Sequence, residues 1–177
     1  GGRRRLTEAV DQLRSRRDGF GSASSEPKQL AERIGQTMPL VYGGGAIGTT
    51  AARRWKFAFN HNVKSPAFWA PMPDLCHNEL VGFGRNGEAT RELFTQIQLR
   101  HDSEHPQTAR RFSYVEEQTA AVMNEVITVE AGGDGPVAQL LDLVFTGDVT
   151  TLELAATQGL DPGPLPVVDE LKAWLAS

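Results

Sequence analysis

The sequence predicts an α/β fold, a three-layer αβα sandwich with a mostly parallel sheet, and three observations carry that expectation. Short apolar or β-branched runs (Met38 to Tyr42, then Leu93, Thr95, Ile97 and Leu99, then Val126 to Val129) alternate with helical patterns. A glycine-rich turn of Gly43, Gly44, Gly45 and Gly48 stands between the first of these runs and a long amphipathic stretch. The 177 residues, 40% hydrophobic and 23% charged, match an ordinary globular domain, which buries about 70% of its unfolded surface at this size. No internal repeat is visible.

Each element has its own local reason. Leu6, Ala9, Val10 and Leu13 form the stripe of an amphipathic helix over residues 3 to 18, which Gly19, Gly21 and the serines that follow bring to an end. Glu26, Pro27, Leu30 and Ile34 start a short helix closed by Gly35. Met38 to Tyr42, bounded by Pro39 and Gly43, reads as a buried parallel strand. The helix after the glycine turn places Ala51, Ala52, Trp55, Ala58, Phe59 and Asn62 on one face.

Pro66, Pro71 and Pro73 predict extended or turn geometry from Ser65, a loop that leads to Asp74 as the cap of a short helix reaching Leu80 or Val81. The alternation of Leu93 to Leu99 predicts a strand, Pro106 to Val122 a helix, and Val126 to Val129 a strand. After a turn at Gly132 to Pro136, a helix runs from Val137 to Gly159 with Gly147 as a weak point. A last helix spans about Pro164 to Ala176.

Charge is unevenly placed. Residues 1 to 20 hold six arginines against three acids (+3), residues 21 to 129 balance, and residues 130 to 177 hold eight acids against Lys172 alone (−7). The basic cluster Arg3, Arg4, Arg5, Arg14, Arg16 and Arg17 is interrupted by Glu8 and Asp11, so it reads as a solvated helix face and no nucleic-acid partner is expected. The single cysteine, Cys76, cannot form an intramolecular disulfide, and no run of about 18 apolar residues is present, so a reducing cytoplasm and no membrane partner are expected. Gly1 in place of Met predicts that the chain does not open at a natural translation start.

Two features suggest chemistry. A helical-wheel count places Lys172 inside the apolar stripe of the last helix, apart from Asp169 and Glu170. A lysine there must snorkel, pair with a carboxylate or meet a ligand anion. The second feature is the polar density of Asn60, His61, Asn62 and Lys64, and of His77, Asn78 and Glu79, at a helix end and after a proline-rich loop. A zinc site from His61, Cys76, His77 and Glu79 has no ligand-spacing motif behind it, so no metal is expected. Gly43 to Thr50 suits either a phosphate cradle or close strand-to-helix packing. It lacks the Lys-Ser/Thr ending and a full G-x-G-x-x-G, which favours packing.

The stretch PLVYGGGAIGTTAARRWKFAFNHNVKSPAFWAPMPDLCHNELVGF resembles the C-terminal half of the bacterial and archaeal bifunctional phosphoglucose/phosphomannose isomerases, built from sugar isomerase (SIS) domains. Its segments are similar to that family's PxxYG, RWKxxxNENxKxPA and PELxHNExVG. The likeness continues through LRHDSEHPQTARR and LLDLVFTGDVTTLELAATQGLDPGPLPVVDELKAWL, covering about residue 28 to the C-terminus. It divides the chain into an N-terminal helix and linker (1–25) and a SIS-type phosphosugar isomerase domain (26–177).

The resemblance implies a cytoplasmic homodimer that interconverts aldose and ketose phosphates of the glucose-6-phosphate or mannose-6-phosphate type through an enediol, without cofactor or metal. It makes His77 the ring-opening histidine and Lys172 the lysine that handles substrate oxygens, with Asn60, Asn62, Asn78 and Glu79 as substrate-binding positions. His61 stands where the family carries its catalytic glutamate, so the base is altered. A non-catalytic sugar-phosphate-binding or dimerisation module is the alternative that this substitution raises. The family's phosphate-binding serine and threonine loops belong to a first SIS half, which nothing here resembles, so the expected partner is that half. The altered base and short form also resemble the divergent TobH-like proteins.

Overall fold

A computed structural model describes residues 2–177, in the element order α1 (Gly2–Phe20), α2 (Glu26–Ile34), β1 (Met38–Gly44), α3 (Gly45–Ala58), β2 (Phe68–Met72), α4 (Glu79–Gly82), α5 (Gly87–Leu93), β3 (Phe94–Arg100), α6 (Pro106–Thr119), β4 (Glu125–Glu130), α7 (Gly135–Thr157) and α8 (Pro166–Leu175). The four strands form one sheet in the order β2-β1-β3-β4, every pair parallel. The α/β sandwich expected from the sequence is thus present, with a helical layer on each face of the sheet.

Side-chain alternation sorts the two faces. Val41, Ile97, Leu99, Ile127 and Val129 point to a first face, where α2, α3 and α7 cover them with Leu30, Ile34, Trp55, Phe59 and Leu143. Leu40, Tyr42, Ala70 and Met72 point to the second face, closed by Leu75, Phe112, Val115 and Met123. Both faces are covered, which is why β1 reads as a near-continuous apolar run, while β3 buries Thr95, Gln96 and Gln98 among its apolar residues.

Trp55 is fully buried and donates from Nε1 to the Leu143 carbonyl at 2.7 Å, tying α3 to α7. This contact explains Gly147 in the middle of α7: a Cβ there would collide with the Trp55 indole. What looks like a helix-weakening residue is the space the tryptophan occupies.

α1 docks through Ala9 and Phe20, with Arg3, Arg4, Arg5, Arg14 and Arg17 exposed as expected and Leu6 and Val10 of the predicted apolar stripe exposed as well. Asp142 of α7, 1% exposed, accepts from Arg16 Nε at 2.7 Å and from the Gly132 amide at 2.7 Å, with Gln12 Nε2 at 3.2 Å. Arg16 also reaches Glu26 at 2.8 Å and lies over Phe20, which stacks on Phe145. Burial works against the Arg16 charge, but Asp142 and Glu26 outweigh it and its pKa rises. Arg16 is therefore the exception among the arginines expected to be solvated.

Several local expectations are corrected. The proline-rich loop contains the edge strand β2, in which Pro71 is tolerated because only one side of an edge strand is paired. The helix expected from Asp74 to Leu80 is a 3-10 turn (Asp74–His77) followed by the single turn α4, and Asp74 makes no side-chain cap. Leu93 ends α5, which the sequence reading missed, instead of opening β3. α6 stops at Thr119, where the Thr119 hydroxyl turns back to the Val115 carbonyl at 2.8 Å.

Candidate active site

α3 loosens into a π-helical turn, Phe59–Val63, and that turn carries the first polar cluster. Turns of this kind are rare and occur mostly at functional sites. Asn62 Nδ2 donates to Thr151 Oγ1 of α7 at 2.8 Å, and Asn60 Nδ2 donates to the Ser65 carbonyl at 2.8 Å. Each asparagine spends one amide hydrogen bond on holding the turn. His61 between them is exposed, and among the described residues its imidazole has no hydrogen-bond partner. The turn packs against α3 and α7, so it belongs to the first-face layer.

The second cluster lies on the other side of the sheet. His77 ends the 3-10 turn anchored by the fully buried Leu75 in the second-face core, and its side chain is exposed. Asn78 Oδ1 accepts from the Glu79 amide at 2.6 Å and so caps α4. Glu79 Oε2 accepts from the Tyr42 hydroxyl at 2.8 Å. Tyr42 is fully buried, and burial together with the Glu79 charge pushes its pKa well above the ordinary phenol range. The tyrosine is therefore a fixed donor that orients the carboxylate, a role the sequence reading did not see. Beside Glu79 lies a cavity of about 350 Å³ walled by Leu40, Phe68, Phe83 and Phe94. Cys76 is half-buried against Met72 and burial pushes its thiol up despite Arg111 nearby, which makes it a poor nucleophile.

His61 thus belongs to the layer on one face of the sheet and His77 to the layer on the other. The imagined zinc ligands are divided in the same way, and no three metal-ligating side chains converge among the described residues. Lys172 departs furthest from the sequence expectation. No residue of α8 is buried, so the stripe into which Lys172 was placed faces solvent. The Lys172 ammonium donates to Asp169 at 3.0 Å, the neighbour from which the wheel count set it apart. A helical wheel defines a face, and only a covering element makes that face a buried one.

In a doubly wound sheet, ligands favour the crevice at the C-terminal strand ends where the strand order reverses, here between β1 and β3. The glycine turn there is closely packed on its inner side. A Cβ at Gly43 would collide with the Gly48 backbone, so these glycines serve close packing of β1 on α3. His101, 7% exposed, lies against the turn with Nε2 3.1 Å from the Gly44 carbonyl, while its Nδ1 is buried without a protein partner. A carbonyl can only accept, so Nε2 carries the proton in this contact.

The family model for the bacterial phospho-glucose isomerase C-terminal SIS domain matches residues 23–175, across both clusters and the last helix. The chain belongs to this family. It is 29% identical over 175 residues to a bifunctional phosphoglucose/phosphomannose isomerase of Caldicellulosiruptor bescii, a match covering 97% of the chain and 51% of the relative. It is 26% identical over 168 residues to the enzyme of the same name from Aquifex aeolicus, covering 95% and 52%. The SIS chain therefore spans about half the length of these relatives. Its fold is similar to that of a glucose-6-phosphate isomerase like protein from Thermus thermophilus, with a TM-score of 0.73 at 20% identity, covering 94% of this chain and 54% of that one. No described helix of this SIS domain is long and apolar enough to cross a membrane.

Proposed function

We propose that this SIS domain is the C-terminal half of a cytoplasmic phosphosugar isomerase that interconverts a glucose-6-phosphate or mannose-6-phosphate type aldose with its ketose by proton transfer through an enediol. The observation that carries this reading is that the family match runs through His61, His77 and Lys172, three side chains that are exposed and do no work in holding the core. His77 opens the sugar ring, His61 moves the proton between carbons, and Lys172 stabilises the substrate oxygens. An imidazole has a basicity suited to proton transfer near neutral pH, although its charge cycle is opposite to that of a carboxylate.

His61 and His77 sit in layers on different faces of the sheet, and Lys172 is exposed on α8. The reading therefore includes a homodimer together with a preceding SIS half that supplies the phosphate loops. The exposed α8 stripe of Val168, Leu171, Trp174 and Leu175, between 40% and 73% accessible, supports a covering surface outside this domain. A protein holding both halves should exchange the C2 proton of a hexose 6-phosphate in deuterated water. Absence of exchange with both glucose and mannose 6-phosphates overturns the enzyme reading.

His61 in place of the glutamate supports a second reading, a sugar-phosphate-binding or dimerisation module without turnover. There, His61→Glu creates exchange where the parent has none. A parent already as active as the variant rules that reading out.

A further inference from the structure

We infer that Lys64 is a positioning residue that fixes the direction of the α8 arm relative to the Asn60–His61–Asn62 turn. Lys64 follows the π-helical turn with φ 58° and ψ 20°, the left-handed conformation, and it is the one non-glycine residue with positive φ among the described residues. Glycine or asparagine is the ordinary occupant of such a helix-ending position. A lysine tolerates the conformation poorly, so its value there must lie in its side chain.

That side chain makes two contacts. Lys64 Nζ donates to the His61 carbonyl at 2.6 Å and to the Pro162 carbonyl at 3.1 Å. The first satisfies an orphan carbonyl at a helix end, where a cation is favoured. The second reaches 98 residues along the chain, to the stem of the C-terminal arm. The stem is held upstream by Leu160 N to Ala155 O and by Gln158 Nε2 to Gly35 O, both 2.9 Å. Past Pro162, the hydrogen bonds of the described arm residues stay within the arm, as in Val168 N to Leu165 O and Lys172 to Asp169. The Lys64 ammonium is thus the last hydrogen-bonded tie between the body and α8.

The link beyond it is short and restrained at its two prolines. Pro162 and Pro164 flank Gly163, whose amide is taken by Asp161 Oδ1 at 2.9 Å, and each proline has a fixed φ. A direction set at Pro162 therefore passes to α8. Because the same ammonium holds the His61 carbonyl, the turn and the arm are registered on one charge. The proposed function enters only in giving that register a purpose, alignment of His61 and Lys172 with their respective partners.

The test is backbone ¹⁵N relaxation on the 177-residue chain and three variants. Lys64→Asn keeps a residue at ease in the left-handed region but too short to reach Pro162, Lys64→Gly removes the backbone strain altogether, and Lys64→Arg keeps a long cation. In the parent and the Arg variant, α8 amides should have order parameters near those of α3, ~0.85 for rigid backbone, whereas in the Asn and Gly variants they should fall below ~0.6 with α3 and α7 unchanged. A purely structural role for Lys64 predicts the reverse, an unchanged arm in Lys64→Asn and Lys64→Gly. Equal α8 order in the parent and the Asn variant overturns the inference, as does an arm already mobile in the parent. The measurement needs no turnover, so failure of the isomerase reading leaves its result intact.

Discussion

The two terminal helices each offer an apolar stripe in sequence, and only the first is docked. α1 offers the apolar stripe of Leu6, Ala9, Val10 and Leu13, yet Leu6 and Val10 stay exposed and the helix is clamped onto α7 by Arg16 on the buried Asp142 and by Phe20 on Phe145. α8 is acidic outside its one lysine and carries Val168, Leu171, Trp174 and Leu175 on a clean stripe, yet it buries nothing. Helix amphipathicity reports how much apolar surface an element offers, whereas docking depends on whether a matching surface exists in the same chain. For α1, a single buried carboxylate on α7 supplies that match. For α8 no covering surface is present among the described residues.

The difference can be broken first at its strongest contact. Arg16→Ala leaves Asp142 buried with Gln12 and the Gly132 amide alone, and should cost about 3 kcal/mol, within the range for removing one partner of a buried ion pair. Chemical denaturation reads it, and a loss under 1 kcal/mol would mean that α1 is held by its aromatic contact instead. Gly147→Ala acts on the same docking helix by pushing a methyl into Trp55, at a cost of about 1–3 kcal/mol of overpacking. Preserved stability there would show that α3 can slide on α7.

The second face of the sheet offers a titration that touches neither terminal helix. The pKa of Tyr42 is raised in the folded state, so above the ordinary phenol value of about 10 the unfolded chain loses a proton that the folded chain retains, and stability falls by about 1.4 kcal/mol per pH unit. Tyr42→Phe should remove that slope, as seen by comparing denaturation midpoints at pH 9 to 11, roughly spanning the unfolded pKa. The smallest effect belongs to α8: Trp174, 73% exposed, should change stability by less than about 0.5 kcal/mol on Trp174→Ala in this chain. A large loss would show that α8 docks in solution and would erase its contrast with α1.

Much of the fold was legible because it rests on local rules. The β1, β3 and β4 runs, the glycine turn and the α3 and α7 stripes each announce a period or a breaker, and both faces of the sheet are covered as parallel strands require. β2 was hidden because Pro66, Pro71 and Pro73 together read as a loop, and Pro71 fits a strand there because β2 is an edge, which is a property of the sheet. α5 was missed because Gly87 to Leu93 carries no apolar stripe for a period to detect. In the candidate site, the motifs contained His61, His77, Lys172 and Tyr42, but not the Tyr42 hydrogen bond to Glu79, since a contact 37 residues apart between β1 and α4 exists only once the second face is packed. Lys64 was in view as one more polar residue. Its left-handed backbone and its reach to Pro162 had no sequence signal.

By itself, the sequence determined the layer architecture, the kinship with the SIS isomerases and the side chains available for chemistry, because periodicity, turn residues and motif spacing are written along the chain. Which of those side chains share a surface was decided by the tertiary structure alone. A sheet has two faces and a helix stripe can face either protein or solvent, so His61 and His77 came to lie in different layers, and Lys172 was left on an arm whose direction is set from Lys64.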